Sequence, residues 1–222
     1  MVSNKGTFIT LEGGEGSGKT TLIESLEAQL HETGREVVTT FEPGATLLGQ
    51  EIRQLLLAHR DEDVIDPFAE LLLFLSDRAQ HLATTIRPAL ERGGIVLCDR
   101  FNDSTIAYQG FARGLDISKV IEFCNQTVHE IQPDLTLYLD IDPEVGLKRA
   151  QQVLKEEKGD EDKDRIESEA FTFHTRLRQG FHWLAEQHPD RIVVIDATLP
   201  KEEVLQQASE ALQNRLSIET PS

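Results

Sequence analysis

Residues 7–20 read Thr7-Phe8-Ile9-Thr10-Leu11-Glu12-Gly13-Gly14-Glu15-Gly16-Ser17-Gly18-Lys19-Thr20, an apolar run that breaks at a glycine pair and resumes as a helical pattern after Lys19. Gly13 to Thr20 fit G-x-x-x-x-G-K-[ST], and they lie between a strand and a helix as that pattern requires. Glycines let the backbone wrap a phosphate so that several N–H groups converge on it, and the helix start adds partial positive charge. The expected nucleotide-binding set is therefore Gly13, Gly14, Glu15, Gly16, Ser17, Gly18, Lys19 and Thr20. Lys19 would reach the β- and γ-phosphates, and the Thr20 hydroxyl would ligate Mg²⁺. Such a loop implies nucleotide binding and leaves the reaction open.

Outward from this loop, short apolar runs alternate with longer helical patterns, which is the mark of a parallel sheet covered by helices on both faces. The runs predict strands over Thr7–Glu12, Glu36–Phe41, Ile95–Cys98, Leu135–Asp140 and Arg191–Ile195. A first helix is expected from about Gly18 to His31, stopping at Gly34. Another starts at Asp66 as N-cap with Pro67 in its first turn. Ile117, Val120, Ile121, Cys124, Val128 and Ile131 recur at helical spacing and read as a core stripe. The expected fold is α/β, a five-stranded parallel sheet with flanking helices and a short lid, folded as one domain over residues 1–222.

The chain has 222 residues and a formal charge of −17. So acidic a surface argues against a sequence-independent grip on a nucleic-acid polymer, which rests on basic groups. Cys98 and Cys124 show no metal-ligand or CxxC spacing and read as buried apolar groups in a reducing compartment. No basic region followed by a long apolar run opens the chain, and no stretch approaches about 18 apolar residues. The expectation is a cytoplasmic protein with no membrane partner. Asn4-Lys5 is followed by Gly6-Thr7 and does not complete the N-K-x-D pattern of a guanine-specific switch.

A second constellation follows the third predicted strand: Asp99-Arg100-Phe101-Asn102-Asp103-Ser104-Thr105-Ile106-Ala107-Tyr108-Gln109. Asp99 ends a buried parallel strand, where a ligand-facing group belongs in an open α/β sheet, and could hold Mg²⁺. Arg100 offers a planar fork matched to phosphate oxygens. This Asp-Arg, Ser-Thr, Ala-Tyr-Gln pattern resembles the thymidylate kinase signature. Glu42-Pro43-Gly44, Ile52 to Leu57, Phe74 with Arg78, Gln109 to Gly114 and Pro133 to Arg149 resemble that family in the same order. The bacterial form is the better match, because Gly16 stands where the eukaryotic form carries a catalytic arginine.

The resemblance implies transfer of a phosphoryl group from ATP to dTMP with Mg²⁺, in a homodimer. It implies that Phe74 stacks on thymine while Arg78, Thr105 and Gln109 serve its polar edge, with Ser104 in the same substrate-binding set. Tyr108 would lie near the sugar, Glu15 around the deoxyribose hydroxyl, and Arg53 and Arg100 on the acceptor phosphate. Arg149 would lie against adenine or its phosphates, bordered by Asp196-Ala197-Thr198. The lid falls at about 150–169. There the chain departs from its relatives, because Ala150-Gln151-Gln152 stands where extra arginines are usual, and Arg165 is the expected substitute, ahead of Lys155, Lys158 and Lys163. Phe41 is a second departure, at a position where many relatives carry arginine. Lys19, Arg100, Glu15 and Arg165 form the expected catalytic set, while His81 and His174 read as ordinary surface residues.

Overall fold

The chain forms five parallel strands in the order β2-β3-β1-β4-β5. They are β1 (Thr7–Glu12), β2 (Val37–Phe41), β3 (Ile95–Asp99), β4 (Leu135–Asp140) and β5 (Ile192–Asp196). The computed structural model describes residues 6–58, 64–158 and 169–218. Each predicted strand is present, with ends displaced by one residue in β2, β3 and β5, within the fraying expected of element ends. In β1, Ile9 and Leu11 pack toward one face of the sheet and Phe8 toward the other, the two-residue period of a strand buried on both sides.

On the Ile9 face lie α1 (Lys19–His31) and α9 (Lys201–Leu216), which contribute Leu22, Leu26, Leu30, Ala208 and Leu212 to a common core. The opposite face is covered by α3 (Pro67–His81), α6 (Ile117–Val128) and α8 (Phe171–Gln187). Leu71, Val120, Cys124, Leu177 and Phe181 pack there around Tyr138. The predicted stripe on α6 is core, although Ile131 lies past the helix end and packs beside Val128. Both cysteines are buried and unpaired. Asp66 caps α3 through its carboxylate, which accepts from Phe68 N at 2.9 Å and Ala69 N at 3.2 Å.

The remaining helices are α2 (Leu47–Leu57), α4 (Arg87–Glu91), α5 (Asn102–Thr105) and α7 (Pro143–Lys158), with π-helical turns at Leu82–Ile86 and Ile106–Ala112. Of these, α2, α5 and α7 lie toward the carboxyl ends of the strands, whereas α4 lies beside the amino ends of β1 and β3. Leu11 of β1 is in register with Asp99 of β3, so the glycine-rich loop and the Asp99-Arg100 segment leave the sheet side by side. From β1 the chain crosses to β2 on the outer flank of β3, whereas β4 lies on the other flank of β1. The crevice at this divergence is where open α/β sheets receive ligands. No helix among the described residues is long and apolar enough to cross a membrane.

Candidate active site

Gly13, Gly16 and Gly18 all hold positive φ, at 148°, 67° and 87°. The loop therefore bends in a way side chains with a Cβ rarely permit. At Gly16 a second constraint applies, since an added Cβ would fall 2.0 Å from the carbonyl oxygen of Gly146 on α7. Inside the loop, Ser17 Oγ donates to Gly14 O at 2.9 Å, and Lys19 Nζ donates to Gly13 O at 3.0 Å and Gly14 O at 3.2 Å. Burial, together with Arg100, lowers the Lys19 pKa, while the carboxylates of Asp99, Glu15 and Glu12 oppose the shift. Thr20 is exposed in the first turn of α1. Asp99 Oδ1 is buried and meets no hydrogen-bond donor among the described residues. An exposed hydroxyl and an unsatisfied carboxylate oxygen are the hard oxygen donors a magnesium ion prefers, so these residues fit one.

Arg100 is not glycine, yet its φ is 69°, a left-handed conformation that costs energy unless its surroundings enforce it. Here they do. Arg100 N donates to Leu11 O at 2.9 Å, and the next amide, Phe101 N, donates to Glu12 Oε1 at 2.8 Å. Glu12 also accepts from Ser104 N and Ser104 Oγ. Burial, with Asp103 nearby, pushes the Glu12 carboxyl up, against the pull of Ser104 and Arg100. The Arg100 guanidinium is thereby aimed back over the glycine-rich loop. It donates to Gly13 O at 3.1 Å, Ser104 Oγ at 3.3 Å and Glu15 Oε1 at 3.0 Å, and lies 5.0 Å over the Tyr108 ring. Tyr108 O–H donates to the same Glu15 oxygen at 3.1 Å. Burial raises the Glu15 pKa, but Arg100, Lys19 and the Tyr108 hydroxyl together hold it below the usual carboxylate range.

Beside this cluster opens a cavity of about 180 Å³. Glu15, Arg100, Ser104 and Tyr108 form its wall toward the glycine-rich loop, and Thr105 and Gln109 continue that wall along the following helical turns. Arg53 of α2, with the half-buried Phe74 and the fully buried Arg78 of α3, completes its lining. With Glu42 and Pro43, one cavity thus gathers residues from five separate stretches of sequence that the motif reading singled out. Arg149 lies elsewhere, donating to Ala197 O at 2.7 Å beside a second depression that Ser17, Gly18 and Leu199 also line. Arg165 and Lys163 lie outside the described residues.

Two histidines correct the sequence reading. His81 and His174 are 0% and 4% exposed, not surface residues. His81 follows Arg78 by about one helical turn, so both reach Glu42. Arg78 Nε donates to Glu42 Oε2 at 2.8 Å, while His81 Nδ1 lies 2.9 Å from Glu42 Oε1 and its Nε2 lies 2.7 Å from Thr40 Oγ1. Arg78 Nη1 also donates to Asn102 Oδ1 at 3.1 Å and Thr105 Oγ1 at 2.9 Å, and Nη2 donates to Phe101 O at 2.9 Å. Far from a solvated-face ion pair, Arg78 is 2% exposed and bolts α3 to the loop after β3. Phe41, the departure before Glu42, is 46% exposed and lies 5.9 Å beneath the Arg53 guanidinium, which donates to Pro43 O at 2.8 Å. Sequence reasoning missed Glu70, Asp77 and Arg113 as supports of the cavity. Glu70, Phe74 and Arg78 are spaced by four along α3, and that spacing was a readable signal.

A parallel sheet in this order, with a phosphate loop after its central strand and an Asp-Arg pair after the neighbouring strand, defines a nucleotide-binding protein of the phosphate-loop class. The comparisons narrow the class. The family model described as thymidylate kinase matches residues 11–208. A thymidylate kinase of Protochlamydia amoebophila is 54% identical over 213 residues, covering 96% of this chain and 95% of the relative. One from Cyanothece sp. is 44% identical over 225 residues, with 96% and 95% covered. The crystal structure of thymidylate kinase from Ehrlichia chaffeensis superposes with a TM-score of 0.73 at 34% identity, over 94% of this chain and 99% of that one. The chain belongs to the thymidylate kinase family.

Proposed function

We propose that this chain transfers the γ-phosphoryl group of ATP to dTMP, giving dTDP and ADP for dTTP biosynthesis. One observation carries the reading: the cavity beside the phosphate loop joins an aromatic face, Phe74, to a polar edge and to two arginine forks, Arg53 and Arg100. A nucleoside monophosphate presents the complementary parts, a flat base at one end and a dianionic phosphate at the other. The second pKa of a phosphate monoester, roughly 6, leaves that phosphate its own nucleophile at neutral pH, so no general base is required. Glu12, the carboxylate best placed to be mistaken for one, is 0% exposed and already accepts from Phe101 and Ser104. This favours a monophosphate acceptor over a nucleoside.

Catalysis is then positioning and charge neutralisation. Arg53 and Arg100 hold the acceptor phosphate, with Arg100 turned toward the phosphate loop. Lys19 neutralises the β- and γ-phosphates. Tyr108 and Glu15 lie at the sugar, where Tyr108 opposes a ribose hydroxyl. Phe74 stacks on the base, and Arg78, Ser104, Thr105 and Gln109 complete its pocket. Thr20 and Asp99 would hold Mg²⁺, which when bound supplies charge neutralisation across the β- and γ-phosphates. Arg149 borders the base of the donor. Residues 150–169 serve as a lid within one kinase domain, with Arg165 as the cation that reaches the transferring group.

The active form is a cytoplasmic homodimer. Leu47, Leu48 and Leu55 of α2, with Phe68 and Leu72 of α3, are exposed apolar side chains that a second copy would cover. Light scattering reads its mass. The activity is tested by ADP formation with dTMP, dCMP, dGMP, AMP and thymidine as alternative acceptors. Preference for dTMP is expected, and equal use of thymidine defeats the proposal.

A further inference from the structure

Glu70 lies outside every motif of the sequence and is 1% exposed, one helical turn before Phe74. Its Oε1 accepts from Gln109 Nε2 at 2.9 Å and from Arg113 Nε at 3.1 Å. A carboxylate with two N–H donors on one oxygen offers acceptance only. Rotating the Gln109 amide by half a turn would set its carbonyl oxygen against that carboxylate oxygen, acceptor against acceptor. The amide is therefore held one way round, with its nitrogen on Glu70.

The consequence falls on the cavity. Gln109 lines it, is 2% exposed, and its Oε1 receives no hydrogen bond from any described residue. One turn earlier on the same wall, Thr105 Oγ1 accepts from Arg78 Nη1, which leaves the Thr105 hydroxyl proton free to donate. The wall thus shows an acceptor beside a donor. An imide base edge, N3–H next to the C4 carbonyl, presents the matching donor and acceptor. A cytosine edge carries the reverse pattern, an acceptor at N3 and an amino donor at C4. Reading cytosine would require Gln109 to turn over, and a turned amide meets Glu70.

We propose that Glu70 is a specificity-determining positioning residue: by locking the Gln109 amide with its carbonyl toward the cavity, it selects thymine-type bases against cytosine. Arg113 is its partner, fixed in turn by Glu169 and lying 4.8 Å from the Phe173 ring. This inference rests on the dTMP kinase reading.

The test is the ratio of kcat/KM for dTMP to kcat/KM for dCMP in the full-length enzyme and in Glu70→Gln. The glutamine can donate as well as accept, so Gln109 is released to either orientation. The ratio is expected to fall roughly tenfold to a hundredfold, the discrimination typical of a paired base contact. The change should appear mainly in KM, with kcat for dTMP less affected. Glu70→Met removes the acceptor without adding a donor; it lowers the ratio less, and serves if the glutamine variant does not accumulate as folded protein. Loss of activity on both nucleotides at an unchanged ratio would reduce Glu70 to a structural support and overturn the inference. Failure of the unsubstituted enzyme to use dTMP would instead defeat the reading beneath it.

Discussion

Arg100 Nη2 donates to Glu15 Oε1 at 3.0 Å, joining the segment after β3 to the glycine-rich loop after β1. Both side chains line the cavity beside the phosphate loop. Arg100 can therefore exchange a carboxylate for an incoming phosphate without moving its backbone, whose left-handed φ is held by Leu11 and Glu12. Replacing Arg100 with alanine should lower kcat on the order of a hundredfold or more, the typical loss when a donor to a developing charge is removed. ATP affinity, read by calorimetry, should change little. Turnover at the unsubstituted level would remove Arg100 from the mechanism.

Gly16 has no room for a side chain. Its φ of 67° and the Gly146 carbonyl 2.0 Å from an added Cβ act together. Gly16→Ala should weaken ATP binding by roughly tenfold or more, since the loop must shift to relieve both strains. The same contact explains why this chain cannot carry an arginine there without moving α7. An alanine variant that binds ATP normally would show that the loop and α7 separate readily.

Asp77 supports the turn before α2 by accepting from Gly44 N at 3.1 Å, while its other oxygen is buried and meets no hydrogen-bond partner among the described residues. Burial, reinforced by Glu42, pushes its pKa from an ordinary 3.8 up to about 6. The folded state thus holds this proton more tightly than the unfolded chain. That contribution to stability is complete below pH 3.8 and is lost as pH rises through about 6. Asp77→Asn keeps an acceptor for Gly44 and never ionises. Its melting temperature should exceed that of the unsubstituted protein at pH 7.5, and the gap should shrink by a few degrees at pH 5. A gap independent of pH would contradict the assignment.

Arg191, at the start of β5, forks onto Asp103 at 2.7 and 2.9 Å and also donates to Thr136 Oγ1 at 2.7 Å. Asp103 is buried, and removing its partner leaves an uncompensated charge beside Glu12. Arg191→Met should cost about 3 kcal/mol in denaturant unfolding, and adding Asp103→Asn should recover part of that loss. Additive losses in the double variant would show that the two residues act separately.

The strands and the phosphate loop were legible because their signals are local. Apolar runs of strand length, a glycine at each sharp turn and a lysine at the helix start read the same way in sequence and in space. Cavity residues such as Phe74 and Gln109 were legible only through resemblance, since the pattern around Phe74 alone reads as core and nothing local gives Gln109 a contact. His81 illustrates what local pattern cannot carry. Its burial depends on Glu42 and Thr40, which belong to β2 and the turn after it, and no periodicity within α3 announces that pairing. Arg113 was hidden for the same reason, and Glu70 announced only its face of α3 and not its partner: a charged residue looks solvated until the element it pairs with is in view.

Transfer of a phosphoryl group from ATP to dTMP can be followed atom by atom. The most direct measurement follows the products by ion-exchange chromatography and phosphorus NMR after incubation with MgATP and dTMP, beside a Lys19→Ala control. Stoichiometric dTDP and ADP are expected, with the γ-phosphoryl group of ATP recovered as the β-phosphate of dTDP, and loss of both products in the control. Inorganic phosphate released at the same rate with or without dTMP, or dTMP formed from thymidine in preference to dTDP from dTMP, would contradict such transfer.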